Sequence, residues 1–341
     1  MSFRVRRSHL DDLDDIYDLA RQFDLLNLPA DKKRLLQKLE KSEASFAGEL
    51  PKEKAEYLFV VEDLEERVAV GCSLIMGKHG TPEVPHNAFK VFKRNHYSED
   101  LGLGFIHQVL QLKVDTDGPT EIGGLLVDKG YRSRPEKLGK LISLARFMFM
   151  AERLDQFEDT VLVELTPPLG DDGKSDFWEA VGRRFTGLPY QEADLLSQTH
   201  KEFIASLFPS GEIYLCLLDA RARASIGRVG EQTKPAQYLL ESIGFTYIEE
   251  IDPFDGGPHY EAETKKIKVI EQSQKLTVSH WASPAWKDNC LVSYGSGSDF
   301  FCISSPVDVR GDTVMLPEKS IQLLGIDFGE MVRVAPFRYR K

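Results

Sequence analysis

The segment from 120 to 150 constrains the fold of this chain more than any other, and it reads TEIGGLLVDKGYRSRPEKLGKLISLARFMFM. The run from Ile122 to Val127 is short and apolar and contains two glycines, which predicts a buried strand whose backbone is closely approached by another group. From about Lys137 onward, apolar residues recur at intervals of three and four, which predicts a helix with one face packed on a sheet. The segment therefore predicts a strand, a tight loop and a helix in direct succession.

The loop between this strand and this helix is basic. Free backbone amides at a helix N-terminus, together with the helix dipole, favour the binding of an anion. We therefore predict that the loop binds a pyrophosphate, and we expect coenzyme A as the ligand. The predicted binding residues are Arg134, Lys137, Gly139 and Lys140, and the alternative is a charged loop that is simply exposed to solvent.

Length and composition limit the class of protein. A chain of 341 residues is long enough for about two domains. Its 42% hydrophobic and 28% charged residues are typical of a globular protein that buries a sizeable core. The net charge of -11 argues against a nucleic-acid binder, because neutralising phosphates requires a basic surface.

We expect neither a membrane segment nor an export signal. No apolar run reaches the roughly 18 residues of a membrane-spanning helix, and the N-terminal residues MSFRVRRSHLDD lack a signal peptide's apolar core. These features predict a cytoplasmic protein that does not bind membranes. The cysteines are far apart, without a CxxC pair or a zinc-like histidine spacing, so we expect reduced thiols and no metal site.

Strands and helices alternate along the chain, which predicts a mixed α/β fold. Residues 1–190 form a first unit, in which the runs 57–62 and 68–76 have the pattern of a hairpin. Residues 191–274 repeat this theme less fully, with a helix expected at 194–208 and a strand at 213–218. Residues 275–341 are rich in strands and predict a small β module.

The order of strand, helix, hairpin, strand, basic loop and helix resembles the acyl-CoA N-acyltransferase (GNAT) fold. Several segments also resemble the arginine N-succinyltransferase family, and they are spread over nearly the whole chain. They are GELPKEKAEYLFVVED (48–63), SLARFMFMAERLDQF (143–157), FWEAVGRRF (177–185), IGRVGEQTKPA (226–236) and IDPFDGGPHYE (251–261). The resemblance implies an N-terminal acyl-CoA-binding domain, a second GNAT-like half that contributes to the amine pocket, and the β-rich C-terminal module.

The resemblance also implies a reaction. The family transfers the succinyl group of succinyl-CoA to the α-amine of L-arginine by direct attack, without a covalent enzyme intermediate. Such a reaction needs a base for the amine proton and backbone amides that polarise the thioester carbonyl, and it needs no metal. Leu125 matches a family position that binds succinyl-CoA, and the backbone from Leu125 to Val127 would pair with the pantetheine amide.

The sequence departs from the family at the usual proton donor. The family has a histidine at the position of Gly230, so the resemblance does not supply that group here. Glu231 could act as the base instead or bind a guanidinium, with Gln232 binding the substrate, but Glu231 could equally be an exposed helix-capping residue. Further departures from the family fall at Gln22–Leu26 and at Asp115–Thr116.

The turn within the last of these segments is the predicted contact for a cationic substrate. Asp255, flanked by Gly256 and Gly257, could bind a guanidinium through two hydrogen bonds. A tight turn between two strands demands the same residue types. His259 follows the turn and is a candidate catalytic residue, with a purely structural role as its alternative.

The sequence leaves three functions open. The first is arginine N-succinyltransferase, and the second is a CoA-dependent N-acyltransferase for another amine or acyl group, which the changes near Gly230 and Asp115 would favour. The third is a catalytically silent subunit that binds acyl-CoA and pairs with an active paralogue. Assembly as a homo-oligomer or a hetero-oligomer is compatible with each of them.

Overall fold

A mixed β-sheet with strands from both ends of the chain organises this structure, a computed structural model that describes residues 2–22, 28–170, 174–197 and 202–339. The strands in these ranges are β1 (Phe3–Arg7), β2 (Glu56–Asp63), β3 (Val68–Met76), β4 (His86–Ser98), β5 (Leu103–Asp115), β6 (Thr120–Val127), β7 (Thr160–Glu164), β8 (Ile213–Tyr214), β9 (Thr246–Ile251), β10 (Pro258–Glu263), β11 (Gln274–Val278), β12 (Asn289–Tyr294), β13 (Phe301–Pro306), β14 (Asp308–Arg310), β15 (Thr313–Met315) and β16 (Met331–Pro336). The helices are α1 (Leu13–Ala20), α2 (Lys32–Phe46), α3 (Leu138–Glu152), α4 (Asp176–Ala180), α5 (Gly182–Thr186), α6 (Tyr190–Ser197), α7 (Glu202–Leu207), α8 (Ala220–Ser225), α9 (Lys234–Ser242), α10 (Lys268–Glu271) and α11 (Glu318–Leu324).

The described strands form one sheet in the order β14-β15-β11-β16-β12-β13-β1-β2-β3-β6-β7-β10-β9-β4-β5-β8. Among them, β6 with β7 and β11 with β15 are parallel neighbours, and the remaining pairs are antiparallel. The mixed α/β fold predicted from the sequence is confirmed.

The C-terminal strands continue the N-terminal part of the sheet. β13 pairs with β1 through Cys302 and Val5. Phe300 packs in the core against Phe59 and Phe149, with ring centroids 5.7 and 5.2 Å apart. The sheet and this core therefore cross the predicted boundary at 274, and the division into three domains stays a prediction.

Helix α3 is the most deeply buried helix near the middle of the sheet. It begins at Leu138, directly after Lys137, as the apolar spacing predicts. Every residue from Leu141 to Met150 is buried, including Arg146. All faces of the helix are therefore buried along this stretch, whereas the spacing of its apolar residues predicted one buried face.

Strands β6 and β7 separate soon after they meet. Thr120 pairs with Val161 and Glu121 with Leu162, and the pairing between the two strands ends there. Beyond this point β6 remains paired with β3, and β7 remains paired with β10. The backbone of β6 after Glu121 consequently faces an opening rather than a neighbouring strand.

A long hairpin formed by β4 and β5 is absent from the sequence prediction. The two strands pair along their full lengths, from His86 with Asp115 to Ser98 with Leu103. Tyr97 and Phe105, near the tip, are 71% and 61% exposed. Apolar and polar residues alternate at Leu110–Val114 but not in the outer half of the hairpin, so periodicity did not reveal its full length.

Two other predictions are wrong in detail. The strand expected at 213–218 is limited to Ile213–Tyr214 and continues as a 3₁₀ helix, Leu215–Leu217. The helix expected at 194–208 is divided between α6 and α7, and residues 198–201 lie outside the described residues, as do residues 23–26. In the part of the chain that is described, no helix is long and apolar enough to cross a membrane.

Phe300→Ala should test whether the C-terminal module is stabilised by the main core. Phe300 is fully buried, and we expect its truncation to lower the free energy of unfolding by about 3–5 kcal/mol. The measurement is urea denaturation followed by fluorescence. Phe328→Ala is the matched control, since Phe328 is 60% exposed and should change stability by less than about 1 kcal/mol. Equal stability of both variants would contradict the shared core.

Candidate active site

A cavity of approximately 1650 Å³ lies where β6 and β7 separate. One wall is β6 and the N-terminal end of α3, and the opposite wall includes Val163 and Glu164 of β7 and Gln232 and Thr233 before α9. The predicted coenzyme-binding residues all line this cavity. They are Leu125, Val127, Arg134, Lys137, Gly139 and Lys140.

A β-bulge occurs in the strand that forms the cavity wall. The register between β3 and β6 shifts from Leu74 with Gly123 to Cys72 with Leu126, so β6 contains one extra residue at this point. Gly124 has a φ of 57°, a conformation that glycine adopts readily. A bulge turns backbone groups out of the ladder, and here it does so beside the cavity.

The basic loop has the geometry of an anion site. Lys137 is the N-cap of α3, a helix of 15 residues whose first amides face away from the helix. Burial lowers the pKa of Lys140, and the nearby positive charges of Lys137 and Arg338 lower it further. The Arg134 guanidinium lies over the rings of Phe3 and Tyr131, 5.2 and 4.9 Å from their centroids. This end of the cavity is strongly electropositive.

A second cavity, of approximately 410 Å³, adjoins the first. His79 and His86 line it, and it shares Glu121, Glu164 and Asp252 with the large cavity. The two cavities therefore meet at three carboxylates. The sequence analysis missed all three, since they come from β6, β7 and the turn after β9 and form no motif along the chain.

Asp252 is held firmly at this junction. Its Oδ1 accepts hydrogen bonds from the backbone amides of Phe254 and Asp255, at 2.7 and 3.0 Å. Burial and the neighbouring Glu164 carboxylate raise the pKa of Asp252 to about 6, although His259 and the two amides act in the opposite direction. A fixed carboxylate with a pKa close to neutrality is suited to accept a proton.

Histidines surround these carboxylates. His259 is fully buried, and its Nε2 lies 3.6 Å from Oε1 of Glu164. Burial lowers the pKa of His259 to about 4, so its imidazole is neutral near pH 7. The His86 ring lies between those of His79 and His259, with centroids 4.5 and 5.4 Å away, and His79 Nδ1 pairs with Glu121.

His259 thus lies behind the junction, close to Glu164, and lines neither cavity. Such nitrogen and oxygen donors could also hold a metal ion, a clustering that the sequence did not predict. The triads with ligand atoms within 4.8 Å of one another are His79, His86 and Glu164; His86, Glu250 and His259; and Glu164, Asp252 and His259.

The other predicted site residues are distributed unevenly. Gln232 and Asp255 line the large cavity. Gly256 and Gly257 do not, and they form the turn itself: Gly256 has a φ of 77°, and the Gly257 amide donates to Asp255 Oδ1 at 2.7 Å. The side chain of Glu231 is 86% exposed, pairs with Lys234 and lines neither cavity. This geometry favours the alternative in which Glu231 is a solvent-exposed residue before α9.

Gly230 is tightly enclosed by backbone. A Cβ at this position would lie 2.8 Å from the carbonyl oxygen of Pro167, and the Gly230 amide donates to Thr166 O at 2.9 Å. A histidine at position 230 therefore requires the backbone to move. Position 230 therefore does not supply the proton donor that the family resemblance implies.

Gly230→Ala tests this close approach. We expect the variant to lose about 1–3 kcal/mol of unfolding free energy, because the added methyl group meets backbone rather than a flexible side chain. Thermal and urea denaturation give the value. Gly211→Ala is the control, since a Cβ there meets no atom within 4 Å. If Gly230→Ala has the same free energy of unfolding as this control, the backbone around position 230 moves without loss of stability, which would contradict the prediction.

Comparison with known proteins shows similarity along nearly the whole chain. The family model described as arginine N-succinyltransferase beta subunit matches residues 3–269. Arginine N-succinyltransferase subunit beta of Pseudomonas aeruginosa is 34% identical over 333 residues, which is 97% of this chain and 97% of that protein. An arginine N-succinyltransferase of Shigella boydii is 34% identical over 313 residues, which is 91% of this chain and 90% of that protein.

A solved structure has the same fold over its full length. It is the arginine/ornithine succinyltransferase subunit AI from Pseudomonas aeruginosa, which matches with a TM-score of 0.86 at 31% identity and covers 99% of both chains. This similarity confirms the fold that the sequence resemblance implied.

Proposed function

This chain belongs to the arginine N-succinyltransferase family, and on that premise we propose that it transfers the succinyl group of succinyl-CoA to the α-amine of L-arginine. The observation that carries the proposal is the junction of the two cavities, where a large groove with one electropositive end meets three carboxylates. An anionic coenzyme and a cationic amine would then approach the same point from opposite sides.

The coenzyme binds along the opening between β6 and β7. Its pyrophosphate lies against the amides at the start of α3 and the charges of Lys137 and Lys140. Its pantetheine amide pairs with the β6 backbone near Leu125 and Val127, which has no strand neighbour on that side. The bulge at Gly124 turns a backbone amide toward the thioester carbonyl and polarises it.

The amine substrate occupies the second cavity. Glu121, Glu164 and Asp252, where this cavity meets the large one, supply negative charge for a substrate with a guanidinium and an ammonium group. Arg34, Lys38 and Lys41 also line the cavity and supply positive charge for the carboxylate of the amino acid. Desolvation in this cavity strengthens each of these charge pairs relative to the same pair in water.

Asp252 is the base. The α-ammonium loses a proton to Oδ2 of Asp252, and the neutral nitrogen then forms a bond to the thioester carbon and becomes cationic. The carbon–sulfur bond breaks, the cationic nitrogen gives up its second proton, and the departing thiolate takes up that proton, so that the products are the amide and the free coenzyme thiol. The thiolate is a tolerable leaving group without a dedicated acid because a thiol has a pKa of about 8.5. His259 is neutral and buried behind these carboxylates, with its Nε2 3.6 Å from Glu164 Oε1.

Two further parts of the proposal concern the cellular setting. The relatives from Pseudomonas aeruginosa are named as subunits, and we propose that this chain also assembles with an identical or paralogous subunit. We propose a cytoplasmic location, where succinyl-CoA is available to the enzyme.

Thiol release by the purified protein tests the function. We expect turnover with succinyl-CoA and arginine, and slower turnover when ornithine or lysine replaces arginine or acetyl-CoA replaces succinyl-CoA. Efficient turnover with another pair would support the proposed acyl transfer but contradict the proposed substrates. Binding of CoA without turnover of any pair would instead favour the catalytically silent subunit.

Asp252→Asn tests the assignment of the base. The amide oxygen of asparagine can still accept from Phe254 and Asp255, so the turn should persist while the proton acceptor is lost. We expect kcat to fall by about 100-fold or more. In the unmodified protein, kcat/KM should fall as the pH drops below about 6, where Asp252 takes up a proton, and this limb should vanish in the variant.

Asp219→Asn is the matched control for Asp252→Asn. Asp219 Oδ1 also accepts two backbone amides, from Arg221 and Ala222 at 3.0 Å each, but Asp219 lines neither cavity. Its replacement should leave the pH profile unchanged. Full activity of Asp252→Asn, or a larger loss of turnover in Glu231→Gln, would remove Asp252 from this role.

A further inference from the structure

Arg146 is a buried charged side chain in an otherwise apolar stretch of α3. It is only 2% exposed, and its neighbours along the helix include the fully buried Phe147 and Met148. Its guanidinium donates to the carbonyl oxygens of Ser143 and Gly123, at 3.1 and 3.3 Å, and to Ser143 Oγ at 3.0 Å. A weaker contact of 3.5 Å reaches the carbonyl oxygen of Leu74.

All of these acceptors are neutral. The pKa of Arg146 is lowered to about 9, and burial is the cause; no carboxylate of the described residues offsets it. The guanidinium nevertheless stays protonated near pH 7, because that value lies above neutrality. A buried charge without a counter-charge is costly, whereas an anionic ligand would compensate it.

The position of Arg146 indicates which ligand would do so. Arg146 and Ser143 line the large cavity together with Gly123 and Gly124 of the bulged strand. Arg146 does not line the second cavity, which holds the acidic residues for the amine. The cation therefore lies on the acyl-CoA side of the junction, near the backbone that would contact the thioester.

We propose that Arg146 binds the distal carboxylate of the acyl group and so selects CoA thioesters of dicarboxylic acids. This inference rests on the proposed function and gives it a specificity-determining residue. A guanidinium matches a carboxylate through two parallel hydrogen bonds, and the pair is favoured in a dry site. Without that carboxylate the acyl group would leave the buried cation uncompensated, so neutral acyl groups are disfavoured.

The α-carboxylate of the amino-acid substrate is chemically the same ligand. It would have to reach Arg146 from the second cavity, across Glu121 and Glu164. The acyl carboxylate reaches it within the large cavity itself. We therefore assign Arg146 to the acyl group, and a substrate without an α-carboxylate distinguishes the two sources.

Arg146→Met provides the test, with succinyl-CoA compared to butyryl-CoA. The butyryl group has the same number of carbons but ends in a methyl group in place of the carboxylate. We expect kcat/KM for succinyl-CoA to fall by about 100-fold or more in the variant, and kcat/KM for butyryl-CoA to change by less than about threefold. A merely structural role would lower both values together and leave their ratio unchanged, which would overturn the proposal.

Arg153→Met is the matched control. Arg153 follows the same helix and lies over the rings of Tyr57 and Phe149, but it lines neither cavity. Its replacement should leave the succinyl to butyryl ratio unaltered. If Arg146→Met does not fold, Arg146→Lys replaces it in the test. Lysine retains the positive charge without the paired donors of the guanidinium, so the ratio of kcat/KM for succinyl-CoA to kcat/KM for butyryl-CoA should fall by a smaller factor.

Agmatine, which is arginine without its carboxylate, identifies the source of the ligand. With agmatine as the acceptor, the loss caused by Arg146→Met should remain as large as with arginine. Disappearance of the loss would assign Arg146 to the amino-acid carboxylate and overturn the proposal.

Equilibrium binding separates this inference from the proposed function. Titration calorimetry should show that the unmodified protein binds succinyl-CoA more tightly than butyryl-CoA, that Arg146→Met removes the difference, and that binding of free CoA is unchanged. These results would support the role of Arg146 even in a protein that turns over no amine. Equal binding of both thioesters to the unmodified protein would overturn it, whatever the activity.

Discussion

The separation of β6 from β7 is the constraint on which the rest of the site depends. Two parallel strands that part after Glu121 and Leu162 leave backbone donors and acceptors of β6 without a ladder partner. Such groups are costly when buried. Side chains satisfy two of the carbonyls, since Arg146 donates to Gly123 O and Arg132 to Val127 O, and an extended ligand in the place of the missing strand can pair with further groups. The same separation opens the large cavity and brings the start of α3 to its rim. The interruption of the sheet thus forms a groove that runs along β6 and offers backbone groups for hydrogen bonds to a ligand.

Charges are distributed around this groove in a consistent order. Cations cluster at the N-terminal end of α3, the buried cation of Arg146 lies further along the groove, and three carboxylates lie at the junction. Each group raises the free energy of the empty protein, because like charges repel and buried charges lose hydration. A bound coenzyme and amine would neutralise them in turn. The empty site is consequently less stable than its packing suggests, and ligands should stabilise the fold by mass action.

The sequence predicted those parts of the molecule that depend on neighbours along the chain. The strand, loop and helix from 120 to 150 follow from apolar spacing and local charge, and the structure contains them with α3 beginning at Leu138. The hairpin of β4 and β5 did not follow, because its outer half packs on no core and so has no regular pattern. Glu121, Glu164 and Asp252 meet only through strand order, which no spacing encodes. Arg146 did not follow either, because a single arginine among the apolar residues of a helix forms no motif along the chain.

Strand β1 has a consequence for how the protein is made. One of its neighbours, β2, begins at Glu56, but the other, β13, begins only at Phe301. While a ribosome adds the residues between them, one edge of β1 has no partner, and an open strand edge can pair with another chain. A nascent polypeptide therefore exposes this edge of β1 until β13 has been made, and a polypeptide truncated before Phe301 exposes it permanently.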